Sequence, residues 1–189
     1  MDNNLELRMY GLVPYNISPI QQAIQFGHAV VEYGQKVKYH KQHLIEQYND
    51  WADNWKTFII LNGGTTNQRT SNETGMPFGT LNGHVLSLLH NDIDFATFNE
   101  PDLGDQLTAV VFIVDERVFN RRKYPDFEDW VIDNYGDLII DSGSSSQIAQ
   151  RIKESTNKED QKVYQSWLTL VGGEKNAFLR DFLKNFKLA

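Results

Sequence analysis

The sequence contains no cysteine among its 189 residues. Disulfide bonds, thiolate zinc sites and catalysis by a cysteine nucleophile are therefore excluded. The five histidines show neither an HExxH motif nor a paired spacing typical of a metal site. His40 and His43 fall on one face of a predicted helix, where solvent-exposed side chains are the simpler interpretation. We therefore expect no metal ion and no cofactor.

The sequence also lacks any hydrophobic run long enough to cross a bilayer. The segment Met1 to Glu6 is polar and acidic, unlike the start of a secretory signal peptide. A hydrophobic content of 40%, with 12% aromatic residues, suffices for the core of one domain with some additional elements. We expect a folded cytoplasmic protein that does not enter a membrane.

Positive charge is scarce in most of the chain. The net charge is −7, which disfavours binding to duplex nucleic acid through its phosphates. Residues 150–189 carry 8 basic and 5 acidic side chains, and the rest of the chain carries 10 and 20. The C-terminal segment is therefore +3 and the remainder −10. A small anion held by a few aimed groups is still compatible with this distribution.

The N-terminal part shows a strand followed by a helix. Leu5, Leu7 and Met9 alternate with polar residues, which predicts a strand with one buried face. Ser18 followed by Pro19, with Gln21 three residues after the serine, is typical of a helix N-terminus. The predicted sheet-facing residues of this helix are Ile20, Ala23, Ile24, Gly27, Val30, Val31 and Gly34.

Three further strands are predicted. Thr57 to Leu61 is a short continuous apolar run, typical of a central strand buried on both faces. Phe95 to Phe98 and Leu107 to Val114 give the other two, with a helix around His84 to His90 before them. The order predicts an α/β fold: a small mixed four-stranded sheet covered by helices.

The C-terminal part is predicted to be helical. We expect a division into an α/β domain, residues 1–135, and a helical extension, residues 136–189, that packs on the core or forms an oligomer. Two helices, Gln147 to Leu170 with an interruption near Asn157 and Glu174 to Phe186, flank Gly172 and Gly173. The last helix is amphipathic and rich in phenylalanine, for which core packing is favoured over an oligomer contact.

Two loops carry candidate binding groups. Asn62-Gly63-Gly64-Thr65-Thr66 follows a predicted buried strand, where its backbone N–H groups can form an anion-binding nest; a plain turn explains it equally well. Glu100 and Asp102 flank Pro101. Paired carboxylates there suit acid–base chemistry, a metal ion or hydrogen bonds to a base edge or ribose hydroxyl, and solvated loop charges are the alternative.

Basic and aromatic side chains supply further candidates. Arg117 and the run Arg121-Arg122-Lys123 form the one basic cluster before residue 150, as either a phosphate contact or a solvated surface. Tyr33 and the pair Trp51 and Trp55 can stack on a nucleobase, although core packing is favoured for each.

The segment Ser18 to Val30, SPIQQAIQFGHAV, resembles the first helix of the peptidyl-tRNA hydrolase II family. That helix contains a lysine, an Ala-Ala-Gln and a His-Ala pair, of which Gln25 and His28-Ala29 match the last two. Phe98 to Leu103 takes the place of the family's Asp-Ala-Gly-Arg-Thr turn, and Thr108 matches the threonine of its last strand. The resemblance covers Leu5 to about Val114 and implies the same fold.

A set of uncharacterised phage proteins related to that family is more similar still. The shared segments are Ile20 to Tyr33, Asn62 to Thr65 and Glu100 to Leu103. Two departures from the hydrolase matter, because Gln21 stands at its essential lysine and Glu100 at its turn aspartate. An uncharged amide cannot replace an ammonium group in stabilising charge on a carbonyl oxygen. The resemblance therefore implies a retained pocket without the catalyst.

The leading hypothesis is a non-catalytic phage protein of the host cytoplasm that sequesters a cyclic-nucleotide immune signal. The expected partners are a cyclic dinucleotide or a cyclic ADP-ribose isomer and further copies of this chain. The expected ligand-binding residues are Gln21, Gln25, His28, Asn62, Gly63, Gly64, Thr65, Glu100, Asp102, Thr108, Arg117 and Arg121. The alternatives are a peptidyl-tRNA hydrolase that uses His28, Glu100 and Thr108, and a scaffold that binds partners through its phenylalanine-rich last helix.

Overall fold

The computed structural model describes residues 5–66, 69–70, 77–135 and 144–189. These residues form two units, 1–115 with 183–189 and 116–182. The predicted boundary lay twenty residues later, between 135 and 136. Because the last central strand runs directly into a helix at Asp115 and Glu116, the second unit begins there, and the last seven residues return to the first unit.

The first unit contains six strands and three α-helices in its described residues. The strands are β1 (Leu7–Val13), β2 (Thr57–Asn62), β3 (Arg69–Thr70), β4 (Pro77–Phe78), β5 (Ala96–Glu100) and β6 (Gln106–Asp115). The helices are α1 (Pro19–Val37), α2 (Gln42–Asp50) and α3 (Thr80–His90), with a π-helical turn at Trp51–Trp55 and a 3-10 turn at Pro101–Leu103.

The main sheet has the strand order β2-β1-β6-β5. β1 pairs in parallel with β2 and antiparallel with β6, and β5 is antiparallel to β6. The predicted α/β class with a mixed four-stranded sheet is therefore confirmed. Residues 107–114 of β6 are all buried, as expected for a strand with neighbours on both sides and helices on both faces.

β2 is an edge strand, so its prediction as a central strand buried on both faces was wrong. Phe58 is 49% exposed, and only Leu61 of this strand is buried. Part of the edge is paired by the C-terminal tail: Asn62 N–H donates to the Lys187 carbonyl at 2.8 Å, and Ala189 N–H donates to the Ile60 carbonyl at 3.0 Å. An apolar run reports the burial preference of side chains, not the number of neighbouring strands.

α1 begins as predicted but buries a different face. The Ser18 side chain accepts from Gln21 N–H, and the Gln21 side chain accepts from Ser18 N–H, so the capping box is complete. The buried residues of this helix are Gln25, Phe26, Ala29, Tyr33, Gly34 and Val37. Of the predicted sheet-facing residues only Gly34 is buried, whereas Ile20, Ala23, Ile24, Gly27 and Val31 are exposed.

α1 lies close to the sheet because β1 offers it a glycine. A Cβ atom on Gly11 would come within 2.3 Å of the Phe26 ring, so only glycine allows this approach. Phe26 then packs with Met9 and Val111 in a cluster that includes Tyr33 and Trp51. The helix and the sheet thus share one core, with the remaining face of α1 in solvent.

The second unit is helical in its described residues. It contains α4 (Glu116–Phe119), α5 (Phe127–Tyr135), α6 (Ser145–Glu154), α7 (Lys158–Val171) and α8 (Glu174–Leu183), whose last residue belongs to the first unit. Asn157 caps α7, which confirms the predicted interruption. Leu179 and Phe182 of α8 are buried and Phe178 stacks on Phe182, so the preference for core packing of this helix is confirmed.

A buried arginine organises one side of the second unit. Arg180 is 1% exposed and donates to the carboxylate of Asp126 and to the carbonyl oxygens of Arg117 and Tyr124. Burial lowers the pKa of its guanidinium, and the Asp126 carboxylate opposes that shift. Because every contact uses a guanidinium donor, the cation ties α4 and the loop that carries Tyr124 and Asp126 to α8.

Replacing Arg180 with methionine should lower the free energy of unfolding of the second unit by about 3 kcal/mol, since buried acceptors lose their donor. The matched control is Arg122→Met at an exposed position, with an expected change below about 0.5 kcal/mol. Hydrogen exchange of the α7 and α8 amides in urea measures both. Equal effects of the two substitutions would contradict this role.

Candidate functional site

Thr108 faces α1 because β6 carries an irregularity. Phe98 of β5 pairs with Ala109, and the next residue, Asn99, pairs with Leu107. Thr108 is therefore an extra residue without a partner across the ladder, which is the arrangement of a β-bulge. Bulges re-aim side chains, and here the threonine hydroxyl points to α1 instead of following the alternation of the strand.

Three polar side chains meet at this bulge: Gln25 of α1, Glu100 at the end of β5, and Thr108 of β6. We call them the polar triad. The Thr108 hydroxyl lies 2.7 Å from Gln25 Oε1 and 3.2 Å from the Phe98 carbonyl oxygen. Gln25 Nε2 donates to Glu100 Oε2 at 2.5 Å. Residues 75 and 83 positions apart in sequence are thus linked by direct hydrogen bonds.

The carboxylate fixes the orientation of the Gln25 amide. An ionised carboxylate only accepts, so the amide nitrogen must face Glu100 and the amide oxygen must face Thr108. The hydroxyl then serves as the donor to Oε1. Because Gln25 is 6% exposed and Thr108 is 0% exposed, this polar chain is enclosed by α1 and the sheet, and it opens to solvent through Glu100.

Glu100 also caps the 3-10 turn that follows it. Its Oε1 lies 3.4 Å from the backbone N–H of Asp102, and the turn continues to Gly104, which has a φ of 69°. The Asp102 side chain is exposed. Both oxygens of Glu100 therefore have an N–H partner within the chain, one from a side chain and one from the backbone. Each oxygen keeps a further lone pair for a donor from outside.

His28 lies one turn after Gln25 on α1 and is exposed. Its ring packs edge-to-face on Phe98, with 4.4 Å between the centroids. The face of α1 that carries His28, Ile24 and Val31 is in solvent and not against the sheet. The imidazole is therefore accessible beside the strand that ends in Glu100.

Gln21 stands at the predicted ligand position but is engaged in capping. Its Oε1 lies 3.1 Å from Ser18 N and 3.0 Å from Ser18 Oγ, and the residue is exposed. The alternative that Gln21 serves the capping box is confirmed. A ligand contact by the same side chain stays a prediction.

The backbone N–H groups of the glycine turn after β2 donate to acceptors within the chain. Gly63 N–H donates to the Val13 carbonyl at 2.8 Å, Gly64 N–H to Asn62 Oδ1 at 2.9 Å, and Thr65 N–H to Thr80 Oγ1 at 2.5 Å. Thr66 N–H donates to Asn16 at 3.2 Å. Four consecutive donors already have partners, so the plain turn fits this geometry and an anion nest does not.

The two predicted arginines lie in the second unit and serve its packing. Arg121 donates to the Asp126 carboxylate and, at 2.7 Å, to the Arg180 carbonyl. Arg117 is half-buried and contacts α8 through its carbonyl oxygen. Neither arginine shares a unit with the polar triad. The other part of the basic cluster, Arg122 and Lys123, is exposed, and Lys123 pairs with Glu116 at 3.2 Å.

The aromatic candidates belong to the core, as favoured from the sequence. Tyr33 is 1% exposed and Trp51 is 4% exposed, and Trp55 packs against the same cluster. Burial raises the pKa of the Tyr33 hydroxyl well above its usual range, and the Asp94 charge adds to that shift. These rings are not available to stack on a base.

The second unit contains a cleft that the sequence did not indicate. It has a volume of about 490 Å³ and lies between α6 and α7, with Ile148, Arg151, Ile152, Lys162 and Val163 in its wall. The residues come from helical faces with ordinary amphipathic spacing, so no motif marks them. Within the described ranges, no group of three or more histidine or acidic side chains could hold a metal ion, and no helix is long and apolar enough to cross a bilayer.

Replacing Thr108 with valine should lower the free energy of unfolding by about 2 kcal/mol, because the buried Gln25 oxygen loses its donor in an otherwise matched shape. Thr108→Ser keeps the hydroxyl and should cost less than the valine variant. Chemical denaturation of both variants measures the difference. A valine variant at least as stable as the serine variant would show that the hydrogen bond does not hold the triad together.

The chain matches no protein-family model, no curated protein and no solved structure. The α/β architecture is therefore established from the structure of this chain itself, and a relation to the peptidyl-tRNA hydrolase II family rests on the sequence motifs alone.

Proposed function

We propose that this protein is a non-catalytic nucleotide-binding protein whose polar triad contacts the nucleoside part of the ligand. The observation that carries the proposal is the closed hydrogen-bond chain from Thr108 through Gln25 to Glu100. Such a chain holds a carboxylate in one place at the surface without side-chain motion on binding. Preorganised acceptors of this kind bind hydroxyl and amine donors at a low entropic cost.

The same geometry gives little support to a hydrolase. Ester hydrolysis needs a group that activates water and a positive or N–H group aimed at the developing oxyanion. No hydrogen bond or ion pair in the described residues joins a lysine or arginine to the triad. Thr108 is fully buried, so its hydroxyl is not accessible to a substrate. The lysine position of the resemblance is held by Gln21, which caps α1.

The triad favours a particular part of a nucleotide. The free lone pairs of Glu100 suit a ribose hydroxyl or an exocyclic amine, both of which donate. His28, exposed beside Phe98, adds an aromatic surface and a ring nitrogen for the base. A phosphate next to this carboxylate is disfavoured by like charge, so the phosphates of the ligand should face away from Glu100.

The resemblance to phage proteins suggests the biological version of this activity. A protein that holds a cyclic dinucleotide or a cyclic ADP-ribose isomer without cleaving it lowers the concentration of an immune signal in the host cell. A cyclic nucleotide presents ribose and base donors on a compact body, which matches a single fixed carboxylate. On this proposal the ligand is a cyclic nucleotide, and the polar triad contacts its nucleoside part.

Isothermal calorimetry against cyclic dinucleotides and cyclic ADP-ribose isomers should show micromolar or tighter binding, with mass spectrometry recovering the intact ligand. Glu100→Gln should weaken binding at least tenfold because the charged acceptor is lost. Glu46→Gln, an exposed carboxylate on α2, is the matched control and should bind like the unmodified protein.

Three outcomes would contradict the proposal in distinguishable ways. If no member of the panel binds at micromolar concentration, the protein does not bind this class of nucleotide. If Glu100→Gln and Glu46→Gln bind the ligand equally well, the binding site does not include the triad. Recovery of cleaved ligand, or turnover of N-acyl-aminoacyl-tRNA that is lost in His28→Ala, favours the hydrolase with His28, Glu100 and Thr108.

A further inference from the structure

α1 has a second apolar face that no part of the described chain covers. Ile20 is 75% exposed, Ile24 is 48% exposed and Val31 is 60% exposed. Gly27 lies between them on the same face and is exposed as well. We call these four residues the α1 seam. Single exposed apolar side chains are common on protein surfaces, but a continuous row along one helix is not.

The spacing of the seam is that of a helix-pairing surface. Successive members are four, three and four positions apart, which is the alternation of the a and d positions of a heptad. The seam lies on the side of α1 away from its buried residues Phe26, Ala29 and Tyr33. The helix therefore carries one apolar face in its own core and another, narrower one in solvent.

No contact within the described residues requires a glycine at position 27. A Cβ atom on Gly34 would come within 2.7 Å of the Tyr48 hydroxyl, so that glycine is required by α2. A Cβ atom on Gly27 would meet nothing within 4 Å. Glycine in a helix interior weakens the helix relative to alanine. A close approach by the backbone of another molecule accounts for a glycine at this position.

The lack of charge on the seam restricts the kind of partner that it fits. No charged side chain occurs from Pro19 to Val31, although the chain as a whole has a net charge of −7. The seam therefore offers no opposite charge to an acidic or basic partner or to an anionic lipid surface. A second copy does fit, because a two-fold axis through Gly27 places each glycine against the other and gives both helices the close approach.

We propose that the α1 seam is the contact between two copies of this chain, with the two α1 helices antiparallel and crossing at Gly27. In this arrangement Glu32 and Lys36 of each copy lie beside the uncharged N-terminal half of the other helix, so like charges do not meet. The seam replaces the phenylalanine-rich last helix, whose apolar side chains are used in the core, as the oligomer contact.

The area of the seam sets the strength of the dimer. From Ile20 to Val31 the seam is about 18 Å long, and a contact about 10 Å wide covers roughly 200 Å² per copy. Stable complexes bury about 800 Å² per partner. The dimer should therefore be weak and reversible.

Sedimentation velocity of the full chain from about 5 to 500 μM tests the proposal without any ligand. The unmodified protein should pass from monomer to dimer over this range. Ile24→Glu and Gly27→Gln should each weaken the dimer at least tenfold. Both positions are exposed, so circular dichroism should show folded monomers, and Gly27→Gln should melt at a higher temperature because glutamine favours the helix.

The matched controls are Leu89→Glu and Gly83→Gln on α3. Leu89 is 58% exposed, and a Cβ atom on Gly83 also meets nothing within 4 Å. Both controls should dimerise like the unmodified protein. A protein that stays monomeric at 500 μM overturns the proposal. A dimer that survives the α1 substitutions, or one that the α3 substitutions weaken equally, overturns it too.

Discussion

The hydrogen bond from the Thr108 hydroxyl to the Gln25 amide oxygen joins α1 to the central sheet of the first unit, and the polar triad depends on it. α1 packs on β1, β5 and β6 through apolar side chains, and such contacts are not directional. A buried polar pair is directional, and leaving either partner unmatched is costly. The β-bulge turns the Thr108 side chain to α1, where its hydroxyl donates to Gln25 Oε1. Gln25 Nε2 then donates to Glu100 and fixes the position of its carboxylate.

This constraint explains why the sequence predicted the elements of the fold better than their faces. Strand and helix positions follow from the alternation in β1, the capping residues of α1 and the apolar run of β6. The face of α1 was predicted wrongly because the helix carries two apolar faces, and the solvent-facing one contains both of its isoleucines. Gln25 is a polar residue that is buried because it forms hydrogen bonds with Glu100 and Thr108. A hydrophobic pattern in the sequence cannot show this.

The candidate site was accessible from the sequence only in part. Gln25, Glu100 and Thr108 were named through a family resemblance, since residues so far apart in the chain leave no local pattern of proximity. The glycine turn was indistinguishable from an anion nest until the partners of its N–H groups were known. Arg180 gave no signal at all, because an arginine on an amphipathic helix reads as a surface residue until its acceptors are located.

The polar triad is the proposed contact between this protein and a nucleotide. Nuclear magnetic resonance of the side-chain amides during a nucleotide titration tests this contact, since Gln25 Nε2 donates to the carboxylate that is proposed to bind the ligand. The Gln25 side-chain signals and the Asp102 backbone N–H signal should shift first, in proportion to the ligand bound. Unchanged Gln25 signals, with shifts instead at Lys162 and Ser166 beside the cleft of the second unit, would contradict it.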